Sequence, residues 1–265
     1  MGEAMIQGLL SKKLVNPEKI VVAEPREERQ KELQQKHHVT VSADNRQAAR
    51  ASDTIVLAIK PQDLGSVLSE LKGTVRPRQM VMSIVAGARI SVISKQLDHT
   101  TVVRVMPNTP AQIGEGISVW TATSDIDPGQ LAQARTILRA FGKEVYVNDE
   151  KFLDMATAVS GTGPTYVFLV MEAMIDAAVH LGFPRHTAYE LVTETIKGSI
   201  MFAMRSGNHP AELRNMVTSP GGTSAEALYQ LEKGSLRTVL SKAIWAAYER
   251  SRSLGEADEH WRPRE

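Results

Sequence analysis

The chain has 265 residues, enough for one large domain or two of moderate size. Hydrophobic residues make up 42% and charged residues 23%, and a formal net charge of +1 leaves no electrostatic footprint for nucleic acid or an anionic membrane. The absence of cysteine excludes disulfides, thiolate metal sites and cysteine nucleophiles, and the seven histidines lack ligand spacing, so no metal is expected.

The opening residues, Met1-Gly2-Glu3-Ala4-Met5-Ile6, read as the first turn of a helix. Strands are predicted over residues 20–23, 39–41, 54–58, 80–84 and 101–105, each short, mostly apolar and rich in Val and Ile. That is the composition of strands buried on both faces of a parallel sheet. Polar amphipathic stretches over 26–36, 63–72 and 90–97 suit the crossover helices between them. Two further strands, near 117–121 and 144–147, flank a helix over about 128–141. The alternation predicts an α/β fold, a Rossmann-type doubly wound sheet, for residues 1–148.

Beyond Asn148 the strand signals stop. Val167, Val170, Met171, Met174, Ala178 and Leu181 recur at helical spacing, as do Ala188, Leu191, Val192, Thr195, Ile196, Ser199 and Ala203, and later Leu236, Val239, Leu240, Ala243 and Ala247. Residues 149–265 are therefore expected to be helical, with loops at 182–184 and 206–210 and a frayed polar tail over 255–265. The Met and Ala stripes read as core or subunit interface rather than as a cofactor box. No run approaches the ~18 apolar residues of a membrane helix, and no signal-like segment opens the chain, so a cytoplasmic location is expected.

In a dinucleotide-binding fold a first strand leads into GxGxxG, and the following helix receives the pyrophosphate at its N-terminus. Gly2 fits the last of those glycines, the one that lets helix and strand pack closely, but no strand or earlier glycine precedes it. That strand is ordinarily central, so without it both neighbours lose ladder partners. The alternative is an ordinary amphipathic helix over residues 1–14.

Three loops fall at carboxyl ends of predicted strands, where ligands bind in open α/β sheets: residues 58–62, 83–87 and 104–111. Each holds small or proline-fixed residues, which suit a backbone that meets a flat molecule closely. Near the first of the short strands, Glu24 suits a ribose 2′-hydroxyl, while Arg26 and Arg29 suit a 2′-phosphate, so the charges conflict. Farther along, Thr218-Ser219-Pro220-Gly221-Gly222-Thr223-Ser224-Ala225-Glu226 reads as a Gly-Gly turn before a helix, with Thr223 and Glu226 as a capping box. The first N–H groups of such a helix favour a carboxylate, and Ser224 adds a hydroxyl; the alternative is a plain helix start. The segment Val159-Ser160-Gly161-Thr162-Gly163-Pro164 lacks both the GK[ST] of a P-loop and a GxSxG elbow, and suits a close approach of helices or a ligand. In the helical half no lysine or histidine has the spacing of an acid or base.

Taken in order, KPQ, SIVAG, RVMPNTPA, VSGTGPTY and SPGGTS resemble the pyrroline-5-carboxylate reductase family over residues 1–254, nearly the whole chain. The resemblance implies a Rossmann-type NAD(P)-binding domain (1–148) and a helical domain (149–265) for dimerisation and substrate binding, in a homodimer or larger homo-oligomer. It implies reduction of 1-pyrroline-5-carboxylate to L-proline with NADPH or NADH. By the same resemblance Gly2, Asn45, Ala58, Ile59, Lys60, Pro61, Ala86 and Gly87 line the cofactor path, and Gly222, Thr223 and Ser224 hold the substrate carboxylate. Ser224, where relatives commonly carry threonine, keeps the hydroxyl that reaches the ring nitrogen, and Glu150 falls on the substrate side. The family ordinarily has about ten residues ahead of the position of Gly2, which points to a shortened reading of a longer chain. The rivals are a β-hydroxyacid-type dehydrogenase, which needs a lysine that residues 160–166 do not offer, a related cyclic imine reductase, and a dimeric homologue without turnover.

Overall fold

A computed structural model describes the backbone of residues 1–259 and the side chains of residues 1–255. Within it the chain forms two compact units, one of residues 1–163 with 246 onward, the other of residues 164–245.

The first unit is the doubly wound α/β fold. After helix α1 (Gly2–Ser11) come β1 (Val21–Ala23), α2 (Glu27–His37), β2 (Thr40–Ser42), α3 (Asn45–Arg50), β3 (Thr54–Leu57), α4 (Leu64–Leu71), β4 (Met80–Ser83), α5 (Ile90–Leu97) and β5 (Val102–Met106). Strand β6 (Gly116–Ala122), helix α6 (Pro128–Arg139), strand β7 (Gly142–Tyr146) and helix α7 (Lys151–Ala156) complete the order. Strands β3, β4 and β5 pair in parallel, with Ile55 opposite Val81 and Val81 opposite Val102. Every residue of β4 is buried, as its unbroken Met-Val-Met-Ser run requires of a strand covered on both faces.

Two features depart from a uniformly parallel sheet. Strand β6 runs antiparallel to β5, because only a short 3₁₀ turn (Thr109–Ile113) and Gly114 at φ +78° separate them, too little chain for a crossover. Strands β1 and β2 also pair only with each other, apart from the five-stranded sheet of β3 to β7. The separate ladders agree with the expectation that no strand stands between β1 and β3 to pair with both.

Helix α1 packs on both sheets. Ile6 and Leu10 join Leu33, Ile20, Val22 and Val41 over β1 and β2, while Met5 and Leu9 join Met80, Met82, Val103 and Phe141 over the larger sheet. Gly8 lies so close to Ala140 that a Cβ there would stand 2.8 Å from the Ala140 carbonyl oxygen. Helix α3 was not anticipated. Six residues are too few to show a period, and the marker in the sequence is its cap, Asp44, which accepts from the N–H groups of Arg46 and Gln47.

The second unit holds most of α8 (Gly163–His180), then α9 (Arg185–Ser206), α10 (Pro210–Met216), α11 (Thr223–Lys233) and the first part of α12 (Leu236–Glu259). Its buried core is small: Ile175, Ala188 and Val192, with Met171, Ala178, Val179 and Ile196 against them. By length and composition alone the helical run Lys151–His180 is apolar enough to cross a membrane, contrary to the expectation from the sequence. The expected frayed tail is helical as far as Glu259, and residues 260–265 lie outside the described residues.

Candidate active site

Strands β3, β4 and β5 run parallel, so their carboxyl ends share one edge of the larger sheet, and Ala58 to Pro61, Ala86 and Gly87 follow the first two of them. At Gly2 a Cβ would fall 3.1 Å from that of Ala58, so the absence of a side chain lets the start of α1 press against the end of β3. The first N–H groups of that helix, which no side chain caps, and its dipole favour an anion. Glu3 in the same turn does not oppose this, because its charge is answered locally. His37, Lys36 and Arg29 all donate to its carboxylate, and these bonds, that from His37 foremost, hold its pKa down to about 2.

After β3 the chain runs through Ala58 and Ile59 to Lys60 in an extended conformation, and Pro61 opens a 3₁₀ turn (Pro61–Asp63), where its missing N–H costs nothing. Lys60 is exposed there. After β4 come half-buried Ala86 and then Gly87 at φ +78°, where a Cβ would also stand 3.0 Å from that of Leu254. Both the left-handed backbone and the crowding require glycine. The third loop is fixed by Asn108, whose Oδ1 accepts from the Ile117 N–H at 2.9 Å. Asn45 opens α3 beyond the end of β2, and its amide donates to Glu70 at 2.8 Å, which ties α3 to α4.

Glu150 belongs to an ion network built around a buried arginine. Its Oε1 accepts from Arg104 Nη1 at 2.8 Å and from the Ile90 N–H at 2.8 Å, a carboxylate placed at the N-terminus of α5. Arg104 also reaches Asp154 at 3.1 Å, and Asp154 accepts from Ser251 at 3.0 Å. With only 3% of its surface exposed, Arg104 is the centre of this cluster. Its signals in the sequence, too weak to mark it alone, are an arginine inside Val102-Val103-Arg104-Val105 and two acids one helical turn apart, Glu150 and Asp154.

The segment 159–164 takes the form of a π-helical turn (Thr157–Gly161) leading into α8. Thr157, Ser160 and Thr162 each donate a hydroxyl to a backbone carbonyl in or just before the turn, at 2.8, 2.9 and 2.8 Å. A Cβ at Gly161 would lie 2.5 Å from the terminal methyl of Met106, so the small residue seats this turn against the end of β5.

In the helical unit the Gly-Gly turn precedes α11, with Gly221 at φ +70°. The expected capping box is not formed. Gly222 (φ −81°, ψ 166°) is the N-cap, no side chain caps the helix, and Thr223 is already its first residue. Extended backbone at Gly222 takes the place that Thr223 would need in order to cap. Its carbonyl accepts from the N–H groups of Ala225 and Glu226, while those of Thr223 and Ser224 have no acceptor within the helix. Ser224 is half-buried beside them. The arrangement offers two backbone donors and one hydroxyl at the positive end of a helix, the chemistry of a carboxylate clamp.

A family model described as pyrroline-5-carboxylate reductase dimerisation matches residues 150–254, and one described as NADP oxidoreductase, coenzyme F420-dependent, matches residues 1–87. Over 256 residues the chain is 41% identical to a pyrroline-5-carboxylate reductase of Synechocystis sp., covering 97% of this chain and 95% of the relative. A second such enzyme, from Methanosarcina acetivorans, is 40% identical over 257 residues, 97% of this chain and 95% of the relative. Among solved structures, pyrroline carboxylate reductase of Plasmodium falciparum with NADP bound superposes with a TM-score of 0.88 at 32% identity, covering 96% of this chain and 94% of that one.

Proposed function

Since this chain belongs to the pyrroline-5-carboxylate reductase family, we propose that it reduces 1-pyrroline-5-carboxylate to L-proline with NADH or NADPH, the last step of proline biosynthesis. The observation that carries the reading is the start of α11, where Gly222 caps the helix by backbone alone and leaves the N–H groups of Thr223 and Ser224 for an anion.

When bound, the nicotinamide coenzyme supplies the hydride. Gly2 and Ala58 set the anion-binding helix start against the sheet edge, and the backbone of Ile59, Lys60, Pro61, Ala86 and Gly87 lines the path beside it. The close packing at Gly2 fits such a coenzyme, since it keeps side-chain bulk away from that edge. Asn45 stands at the same edge, toward the adenosine end. Gly222, Thr223 and Ser224 hold the substrate carboxylate, and the Ser224 hydroxyl bonds the ring nitrogen and orients the C=N carbon. Glu150 acts on the substrate side by keeping α5, β5 and α7 in place through Arg104. An imine is readily protonated and then accepts hydride without a metal, so orientation is the main task of the protein.

Residues 1–148 are the coenzyme domain in this reading, and residues 149–265 the dimerisation and substrate domain of a cytoplasmic homodimer or larger homo-oligomer. The apolar face of α8 is covered by a second copy rather than by lipid, and the near-neutral charge fits a protein with no nucleic-acid partner.

The divided sheet favours one second reading, a dimeric homologue with weakened coenzyme binding. Incubation with pyrroline-5-carboxylate and either coenzyme, with product separated by chromatography, tests both. Proline equal to the coenzyme oxidised is the expected result. A folded chain that makes no proline is the second reading's result, and faster turnover of a six-membered imine would assign a related cyclic imine reductase.

A further inference from the structure

We propose that the chain selects NADH over NADPH and that Glu24 is the specificity-determining residue. The inference rests on the reductase reading and goes beyond it in naming the coenzyme and the group that chooses it.

Glu24 directly follows β1, and its N–H donates to the Ser42 carbonyl at 3.0 Å, so it continues the ladder to the carboxyl edge of the sheet. Its own carbonyl accepts from the Gln30 side chain at 2.6 Å, which fixes the backbone from the other side. The carboxylate is oriented through one oxygen: Oε1 accepts from the Arg26 N–H at 3.2 Å and from Arg26 Nε at 2.9 Å. These bonds, the side-chain bond from Arg26 foremost, keep the Glu24 carboxyl below the usual carboxylate range. A charged, fixed acceptor at the end of this strand is the chemistry that takes a ribose 2′-hydroxyl.

A 2′-phosphate carries about two negative charges and needs cations that are not already neutralised. The two arginines that follow Glu24 in the chain are both engaged with carboxylates. Arg29 divides its guanidinium between Glu3 and Glu32, and Arg26 pairs with Glu24 itself. Farther along α2, Lys31 pairs with Glu27 at 2.7 Å and Lys36 with Glu3 at 2.9 Å. Were Arg26 to swing to a phosphate, the Glu24 carboxylate would stand bare beside it, and like charges at contact distance are disfavoured. A hydroxyl meets none of these costs. The conflict between Glu24 and the two arginines in the sequence is thus resolved by their pairing.

The test needs no turnover. Calorimetric titration with 5′-AMP and with 2′,5′-ADP, the adenylate halves of the two coenzymes, should show AMP binding at least about tenfold tighter, the size of one lost charge-assisted hydrogen bond. Glu24→Gln, and independently Glu24→Ser, should bring the two affinities close together, and the ratio of kcat/KM for NADH over NADPH should fall in parallel. Equal or tighter binding of 2′,5′-ADP by the unaltered chain overturns the proposal, as does a preference that both substitutions leave unchanged. Proline formation that runs better with NADPH overturns this inference alone. Absence of proline with either coenzyme, together with no nucleotide binding, instead removes the reductase reading on which it rests.

Discussion

The two units solve the problem of burial differently. In the α/β unit β4 is wholly buried, Trp120, Phe141 and Leu138 are completely enclosed, and even an arginine is covered once two carboxylates answer it. In the helical unit Val167, Phe168, Leu169 and Val170 are all exposed in succession. Four consecutive residues of an α-helix sweep about 300° of its circumference, so α8 lacks cover on most sides there. Leu181, Met204 and Trp245 are likewise 82, 68 and 62% exposed. Contiguous apolar surface of this kind marks an interaction site. The first unit buries most of its strands within itself, although its two sheets share no ladder, whereas the second leaves contiguous apolar surface open.

The largest effect should come from breaking the interior of the first unit. Arg104→Ala leaves two half-buried carboxylates, Glu150 and Asp154, without their cation and opens a hole where the buried guanidinium stood, which should cost about 3 kcal/mol of stability. A calorimetric melting temperature that barely moves would show that the cluster is solvated rather than buried. Placing a charge in the second unit should act on assembly instead. Leu169→Glu sets a carboxylate on exposed apolar surface, and dimer dissociation should strengthen by at least about 2 kcal/mol, near thirtyfold, in sedimentation equilibrium. If the association constant is unchanged, that face of α8 lies outside the interface.

Smaller changes sharpen the assignment of chemistry. Ser224→Ala removes a hydroxyl at the start of α11 and should lower turnover about tenfold while leaving coenzyme affinity nearly unaltered. Unchanged steady-state turnover would remove Ser224 from the mechanism. The least effect concerns acid stability. Glu3 has its carboxyl lowered from 4.5 to about 2 by His37, Lys36 and Arg29, so its contribution is fully present above the unfolded value and is lost as pH falls through the folded one. The stability difference between the unaltered chain and Glu3→Gln should stay level above about pH 5 and shrink between 4.5 and 2. A difference that grows on acidification contradicts the pairing.

What the sequence made legible follows the same divide. Runs such as Met80–Ser83 and Val102–Met106 announce buried parallel strands because both faces must be apolar, and Gly2 announced a close helix–strand contact that the structure places at Ala58. The reversal of β6 was not readable, since direction depends on the length of a connection and not on strand composition. Nor was the start of α11. Thr223 and Glu226 have the spacing of a capping box, but the Gly-Gly turn shifts the cap to Gly222. Arg104 is visible as a charge in an apolar strand, yet only the fold brings Glu150 and Asp154 to it, and Ser251 to Asp154. In the helical unit, periodicity located the apolar stripes without separating core from exposed face. Ala188 is enclosed whereas Leu191, from the same stripe, is exposed.

The measurement that bears most directly on the contrast between the units is sedimentation velocity of the unaltered chain at micromolar concentration. A self-covering first unit and an uncovered second predict species at twice the chain mass or an even multiple of it, with no stable monomer. A folded monomer that unfolds cooperatively would contradict the account, because the exposed faces of α8 would then need no partner.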